Sequence, residues 1–229
     1  MTSWTSLMIL SAASLVLAWD PFKYAFDPRI HNLGNHGLKG KLHAEIAPIF
    51  TKAVDNGVYG VDIRKLVVDR QGGNKRILDL GCGTGFSTSA DEGCVGIDLS
   101  EPMIEKARVL FPNKRFELGD METWDDGNDY DIVTCMFCFH EAPGFARKRI
   151  IDHMLSIANE KVVVVDIAPE YKPSKLMLSG EPYLEDYLAN VREDMADFKE
   201  DVLVGGHVHM WSYDLSMANG YRSVTISQN

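Results

Sequence analysis

Continuous apolar runs at residues 76–80, 94–98, 114–118, 130–137 and 161–167 alternate with stretches whose apolar positions recur at helical spacing, at about 86–92, 101–110, 143–158 and 174–200. Runs such as KVVVVDI, without polar alternation, suit strands covered on both faces, and their interleaving with helices is the signature of a parallel βαβ sheet. The pattern predicts a doubly wound, Rossmann-like α/β domain. It has a mostly parallel sheet of seven strands with helices on both faces, preceded by an N-terminal helical lid segment. Upstream, Leu42, Ile46, Ile49, Phe50, Ala53 and Val54 fall at helical spacing and end at Asn56-Gly57, with Pro48 expected to kink or divide the helix. A closing antiparallel pair is expected at about 207–213 and 220–227, around Asn219-Gly220. The expected divisions are 1–19 as an apolar N-terminal segment, 20–72 as a lid and 73–229 as the main domain.

The first 19 residues carry no charged side chain, and their apolar stretch, Leu7–Trp19, is shorter than the roughly 20 residues of a spanning helix. A buried or amphipathic helix, a cleavable targeting segment and an anchor stay open, although the basic residue that usually precedes a secretory core is absent. No stable membrane span is expected. The chain is expected in the cytoplasm, with organellar or secretory targeting through residues 1–19 as the alternative. Composition adds that 229 residues, 45% hydrophobic and 24% charged, are those of a globular chain. A formal charge of −10 repels a phosphate backbone, so no broad nucleic-acid binding is expected, while a local basic pocket stays open. Four cysteines are too few for a disulfide scaffold. Cys135 and Cys138 have no second pair of like spacing, so two packed thiols in a reducing compartment are expected and no metal site.

The sharpest motif is RILDLGCGTG at residues 76–85: a strand, the acid Asp79, then Gly81, Gly83 and Gly85 with Cys82 between the first two. Such glycines let backbone turn tightly and approach a ligand at the carboxyl end of a first strand. A dinucleotide site needs a third glycine where Phe86 stands, and Asp79 would oppose a pyrophosphate, so a nucleotide-dependent oxidoreductase fits poorly. A cationic, phosphate-free nucleoside suits the acid and the glycines better. Asp98 closes the second strand, 17 residues after Gly81, where a carboxylate can accept both ribose hydroxyls. Asp120 follows the third strand and can accept an adenine amino group.

LDLGCGTG, VGIDLS, LGDME and YDIVTCMFCFHEAP, as an ordered set over about residues 75–168, resemble the motifs of class I S-adenosylmethionine-dependent methyltransferases, of the small-molecule type with a type-11/25 methyltransferase domain. The resemblance implies S-adenosylmethionine as cofactor and transfer of its methyl group to a small-molecule acceptor (O, N, S or C) by in-line displacement. It implies that Asp79, Gly81, Cys82, Gly83 and Gly85 surround the methionine part. It also implies that Asp98 holds the ribose beside Leu99, that Asp120 and Met121 read the adenine edge, and that Met136 flanks the sulfonium. Asp98 follows Gly85 by only 13 positions, about one helical turn fewer than is common in the family. The short, Ser-rich helix expected there should fray. That departure is the ground for the alternative, an inactive S-adenosylmethionine-binding scaffold or partner subunit.

The candidate general base is His140, which Glu141 can orient or raise in pKa; the competing role for both is bracing the helix that begins near Ala142-Pro143. His31, Asn35, His36 and His43 are lid residues whose spacing defines no metal geometry. Tyr171 and Tyr183 stand where substrate contact is open to them. Tyr183, Leu184, Tyr187, Leu188 and Val191 also fit a buried helix stripe. His207 and His209 read as solvated or paired.

Overall fold

The structure, a computed structural model, describes residues 23–215; the expectations for residues 1–19 and for a strand at 220–227 lie outside them. Seven strands form one sheet: Ile77–Leu80 (β1), Val95–Asp98 (β2), Phe116–Leu118 (β3), Tyr130–Met136 (β4), Ala158–Ile167 (β5), Lys199–Val204 (β6) and Val208–Asp214 (β7). Their order is β3-β2-β1-β4-β5-β7-β6. The first five pair in parallel, and β7 runs antiparallel to β5 and β6.

The apolar runs explain the layers. In β5, Val162 and Val164 pack with one face of the sheet and Val163 and Val165 with the other. The first face is covered by helix Gly144–Ile157 (α4), through Ala146, Ile150 and Met154, and by helix Leu184–Asp194 (α6), through Leu184, Tyr187 and Val191. The second face is covered by Ile63 and Val67 of helix Ile63–Arg70 (α2). Helix Glu101–Leu110 (α3) lays Ile104 and Ala107 against Cys82 and Phe116. Arg147, fully buried in α4, bonds Asp194 at 2.6 Å, Asp186 at 2.9 Å and the Ala142 carbonyl at 2.8 Å, locking α4 to α6.

Three expectations are corrected. The helix at 86–92 is absent, because Ser87 and Thr88 turn their hydroxyls inward and each donates to Asp79 Oδ2 at 2.7 Å; hydroxyls that bond elsewhere compete with helix formation. The helix expected over 174–200 is two, Lys175–Gly180 (α5) and α6, and the chain then enters β6. Strand β7 stands where a strand was expected at about 207–213, and it forms a hairpin with β6 through the turn at Gly205-Gly206. Finally, helix Gly37–Val54 (α1) runs on through Pro48. Its buried face is Gly40, His43, Ala44 and Pro48, whereas Leu42, Ile49 and Phe50 are exposed.

Sheet order reverses between β1 and β4, since β2 and β3 lie to one side and β5 to the other. The loops leaving β1 and β4 diverge there, which opens the crevice where doubly wound sheets bind ligands.

Candidate functional site

The loop after β1 is shaped by three glycines with positive φ: Gly81 at 71°, Gly83 at 52° and Gly85 at 89°. A side chain at Gly81 would collide with Cys138 Sγ, and one at Gly85 would lie 2.6 Å from Phe116 Cζ. At Gly83 there is open space instead. The loop is fastened to β2 by the Cys82 amide donating to the Ile97 carbonyl at 2.9 Å. From beneath, Asp79 holds it by accepting from Ser87, Thr88 and, at 3.1 Å, Thr134.

Two cavities adjoin this loop. One, of about 150 Å³, is walled by Gly81, Cys82, Gly83, Asp98 and Met136 among others. The second, of about 60 Å³, is walled by Gly81, Asp98, Leu99, Met121 and Cys138 together with Tyr24, Phe26 and Asn35 of the N-terminal segment. Asp98 faces both, while its Oδ2 accepts from the Gly83 amide at 2.9 Å and its Oδ1 from the Ser100 amide at 2.8 Å. Burial pushes the Asp98 carboxyl up to about 6, against the two amide donors that lower it. The residues expected around a cofactor thus divide. Gly81, Cys82, Gly83, Asp98, Leu99, Met121 and Met136 wall the cavities. Asp79 and Gly85 lie behind that wall, supporting the loop. Asp120 is ion-paired with Lys23, which also reaches Glu122 at 3.2 Å, so its carboxylate is engaged by the N-terminal segment and lines neither cavity.

A third cavity, of about 510 Å³, adjoins these and is mostly apolar, with Ile46, Phe50, Val54, Tyr59, Phe137 and Leu176 in its wall. His31, His140, Glu141 and Glu181 supply its polar end, and Glu141 borders all three cavities. His140 and Glu141 sit in the 3₁₀ turn Phe139–Glu141. His140 Nδ1 lies 2.6 Å from Asp166 Oδ1, and Asp166 Oδ2 accepts the amides of Phe139 (2.7 Å) and His140 (3.2 Å). Burial alone would lower the imidazole pKa; the Asp166 charge and hydrogen bond overcome it and hold it at about 9. The orienting acid for His140 is therefore Asp166, not Glu141, whose Oε1 is 4.0 Å from Nε2. Neither residue caps α4: its N-cap is Pro143, with no side-chain bond.

Glu141 instead bonds His31 Nε2 at 2.9 Å, and the His31 cation holds the Glu141 carboxyl below its usual range despite burial. His31, Asn35 and His43 do come together over the crevice: His43 Nδ1 bonds Asn35 Oδ1 at 2.9 Å, and the Asn35 carbonyl accepts from Ser100 Oγ at 2.7 Å. His36 packs its ring against Phe26. Among the other candidates, Tyr183 bonds Asp27 at 3.2 Å and Tyr171 packs against His207. The α6 stripe Leu184, Tyr187 and Val191 is core, and His209 is paired with Glu200 and Glu170.

Sequence reasoning missed Phe137 and Arg64. Phe137 takes φ 60° between the first and third cavities, and the Arg64 guanidinium lies 4.3 Å from its ring centre. A non-glycine residue in that region carries strain that tends to collect at ligand sites, but no sequence signal marks it. Asp166 did carry a signal: an acid inside KVVVVDI must find a partner once the strand is buried.

Residues 77–161 match the family described as a methyltransferase domain. Over those residues the chain is similar to a methyltransferase domain. A trans-aconitate 2-methyltransferase of Escherichia coli is 26% identical over 149 residues, 60% of this chain and 58% of that protein. Another from Variovorax paradoxus is 46% identical over 55 residues, 21% of each. The chain thus spans well under two thirds of these curated relatives. The crystal structure of a TehB-like SAM-dependent methyltransferase from Corynebacterium glutamicum superposes with TM-score 0.53 at 17% identity, covering 75% of this chain and 97% of that one. That likeness is one of fold: both chains have a doubly wound α/β architecture. No helix among the described residues is long and apolar enough to cross a membrane.

Proposed function

We propose that this protein binds S-adenosylmethionine on the loop after β1 and transfers its methyl group to a small molecule held in the 510 Å³ cavity. The observation that carries this reading is the position of Asp98: one carboxylate at the end of β2 borders both cavities beside the glycine loop.

The residues fit that cofactor. Asp98 is placed to accept ribose hydroxyls, and hydrogen bonds to a charged acceptor are worth about 1.5–3 kcal/mol each. Leu99 and Met121 offer apolar walls for adenine, with Met121 rather than the Lys23-bound Asp120 at its edge. The open space at Gly83 leaves room for the amino-acid part, and Met136 walls the same cavity. The cofactor, when bound, supplies a methyl carbon already activated by its sulfonium. What remains to the protein is alignment, exclusion of water and removal of a proton where the acceptor starts protonated.

For that proton, His140 serves as base through Nε2, because Nδ1 is committed to Asp166. Asp166 acts as a positioning residue that fixes the ring and stabilises its charged form. The apolar wall of the large cavity favours an acceptor with an extended hydrophobic body and one polar end directed at His140 and Glu141. Four free thiols support a reducing compartment such as the cytoplasm.

The test is release of S-adenosylhomocysteine when pure protein and isotopically labelled S-adenosylmethionine meet fractionated small-molecule extract. Labelled product with wild type, and its loss in Asp98→Ala, are expected. Cofactor binding without transfer to any fraction would favour the scaffold alternative, and absent binding would overturn the reading.

A further inference from the structure

Glu141, the residue common to the three cavities, is one member of a cluster drawn from distant parts of the chain. His31 comes from the N-terminal segment and Glu181 from the residue that ends α5. His31 Nε2 lies 2.9 Å from Glu141 Oε1, and His31 Nδ1 lies 2.8 Å from Glu181 Oε1. One nitrogen and two carboxylate oxygens, one from each residue, all lie within 4.8 Å of one another. Glu181 is 7% exposed, borders the large cavity, and its Oε2 has no hydrogen-bond partner. A buried carboxylate with an idle oxygen is an unmet demand for positive charge.

The backbone is built to bring these groups together. A Cβ at Gly180 would lie 2.8 Å from Asn32 Nδ2 and 3.4 Å from His31 Cα, so the close approach of the two segments depends on glycine there. His31 and Asn32 both take positive φ, at 49° and 60°. Neighbouring cations are engaged elsewhere: His140 with Asp166, and Arg64 with Asp55 at 3.4 Å. Two carboxylates therefore face a single imidazole, and the surplus is negative.

We propose that His31, Glu141 and Glu181 form a site for one divalent metal cation at the polar end of the acceptor cavity. A dication balances two carboxylates with a neutral imidazole, replacing a ring proton of His31. One nitrogen and two oxygens as donors suit Mn²⁺, Fe²⁺, Co²⁺ or Zn²⁺ rather than a soft monovalent ion. Three protein ligands at a cavity wall leave positions open towards the cavity, where oxygen atoms of an acceptor can coordinate. That last role rests on the methyl-transfer reading, whereas the cation site itself does not.

The experiment uses the full chain, stripped of metal by chelation and desalting, and titrated with Mn²⁺ while the spectrum of the free ion is followed by electron paramagnetic resonance. One bound Mn²⁺ per chain, displaced by Zn²⁺, is expected. Glu181→Gln and His31→Gln should each weaken it by about a hundredfold, at the upper end of what loss of even an outer-shell partner costs. Glu45→Gln, at the exposed acid of the Lys106 pair on α1, should leave it unchanged. His31, at 37% side-chain exposure, provides a variant that spares the core should Glu181→Gln fold poorly. An undiminished free-ion signal with folded wild-type protein at about 1 mM Mn²⁺ overturns the site, and so does equal binding by both variants. S-adenosylhomocysteine titrated into the same samples reports the cofactor site separately, so a failure of one reading is told from a failure of the other.

Discussion

His140 Nδ1 and Asp166 Oδ1 stand 2.6 Å apart inside the domain, one on the turn after β4 and the other in β5, with Asp166 wholly buried. The pair ties the turn after β4 to the neighbouring strand β5 and gives the imidazole a direction: Nδ1 inward, Nε2 free for proton transfer.

Its titration has a signed consequence. The folded-state pKa of His140, about 9, lies above the 6.5 of an unperturbed histidine. The group's contribution to stability is thus fully present below about pH 6.5 and is lost as pH rises towards 9. Unfolding free energy measured by urea titration should fall across that window by a few kcal/mol. In His140→Asn the slope from this group should vanish.

The same pair should shape activity. If His140 accepts the acceptor's proton, kcat/KM rises with pH to a plateau near 9. Asp166→Asn should lower that apparent pKa and the plateau, by about 10²–10⁴ for loss of an effective base. A pH-rate profile of both proteins checks this, and an unshifted profile removes His140 from the reaction.

Asp98 titrates in the opposite sense for binding. Its carboxyl is raised to about 6 by burial, so the charged form that the proposed reading assigns to the ribose hydroxyls is depleted below that pH. Affinity for S-adenosylhomocysteine should be level above pH 7 and weaken below 6, and this pH dependence should be absent in Asp98→Asn.

The glycine loop gives a paired test. Gly81→Ala places a methyl against Cys138 Sγ in addition to the left-handed penalty, whereas Gly83→Ala meets open space and carries only the latter, about 1–2 kcal/mol. Thermal melts should show Gly81→Ala the more destabilised. Gly83→Ala should keep the fold and lose cofactor affinity, because its methyl enters the cavity.

Arg147 offers a stability prediction away from the site. It is fully buried, and its partners Asp186 and Asp194 come from α6. Arg147→Ala should destabilise by about 3–5 kcal/mol, the usual range for breaking a buried pair. Chemical denaturation at constant pH is the readout.

The strand runs and the strand-end motifs were legible because burial on both faces leaves little room for polar residues. β6 was not: KEDVLV is an edge strand with exposed polar positions, and it continues a helical register. The segment after Gly85 misled because Ser87 and Thr88 carry helix-compatible spacing, while their hydroxyls serve Asp79. Asp98 was readable from its place at a strand end. The capture of Asp120 by Lys23 was not, since it crosses 97 positions of sequence. Likewise His31 meets Glu141 across 110 positions, a contact that only the folded N-terminal segment creates.

The central claim is tested most directly by calorimetric titration of S-adenosylhomocysteine into the folded protein at pH 7.5. One molecule should bind per chain, and Asp98→Ala should weaken it by more than about tenfold, a loss of at least 1.4 kcal/mol, with its melting transition retained. No heat at millimolar ligand from a protein that melts cooperatively would contradict the account.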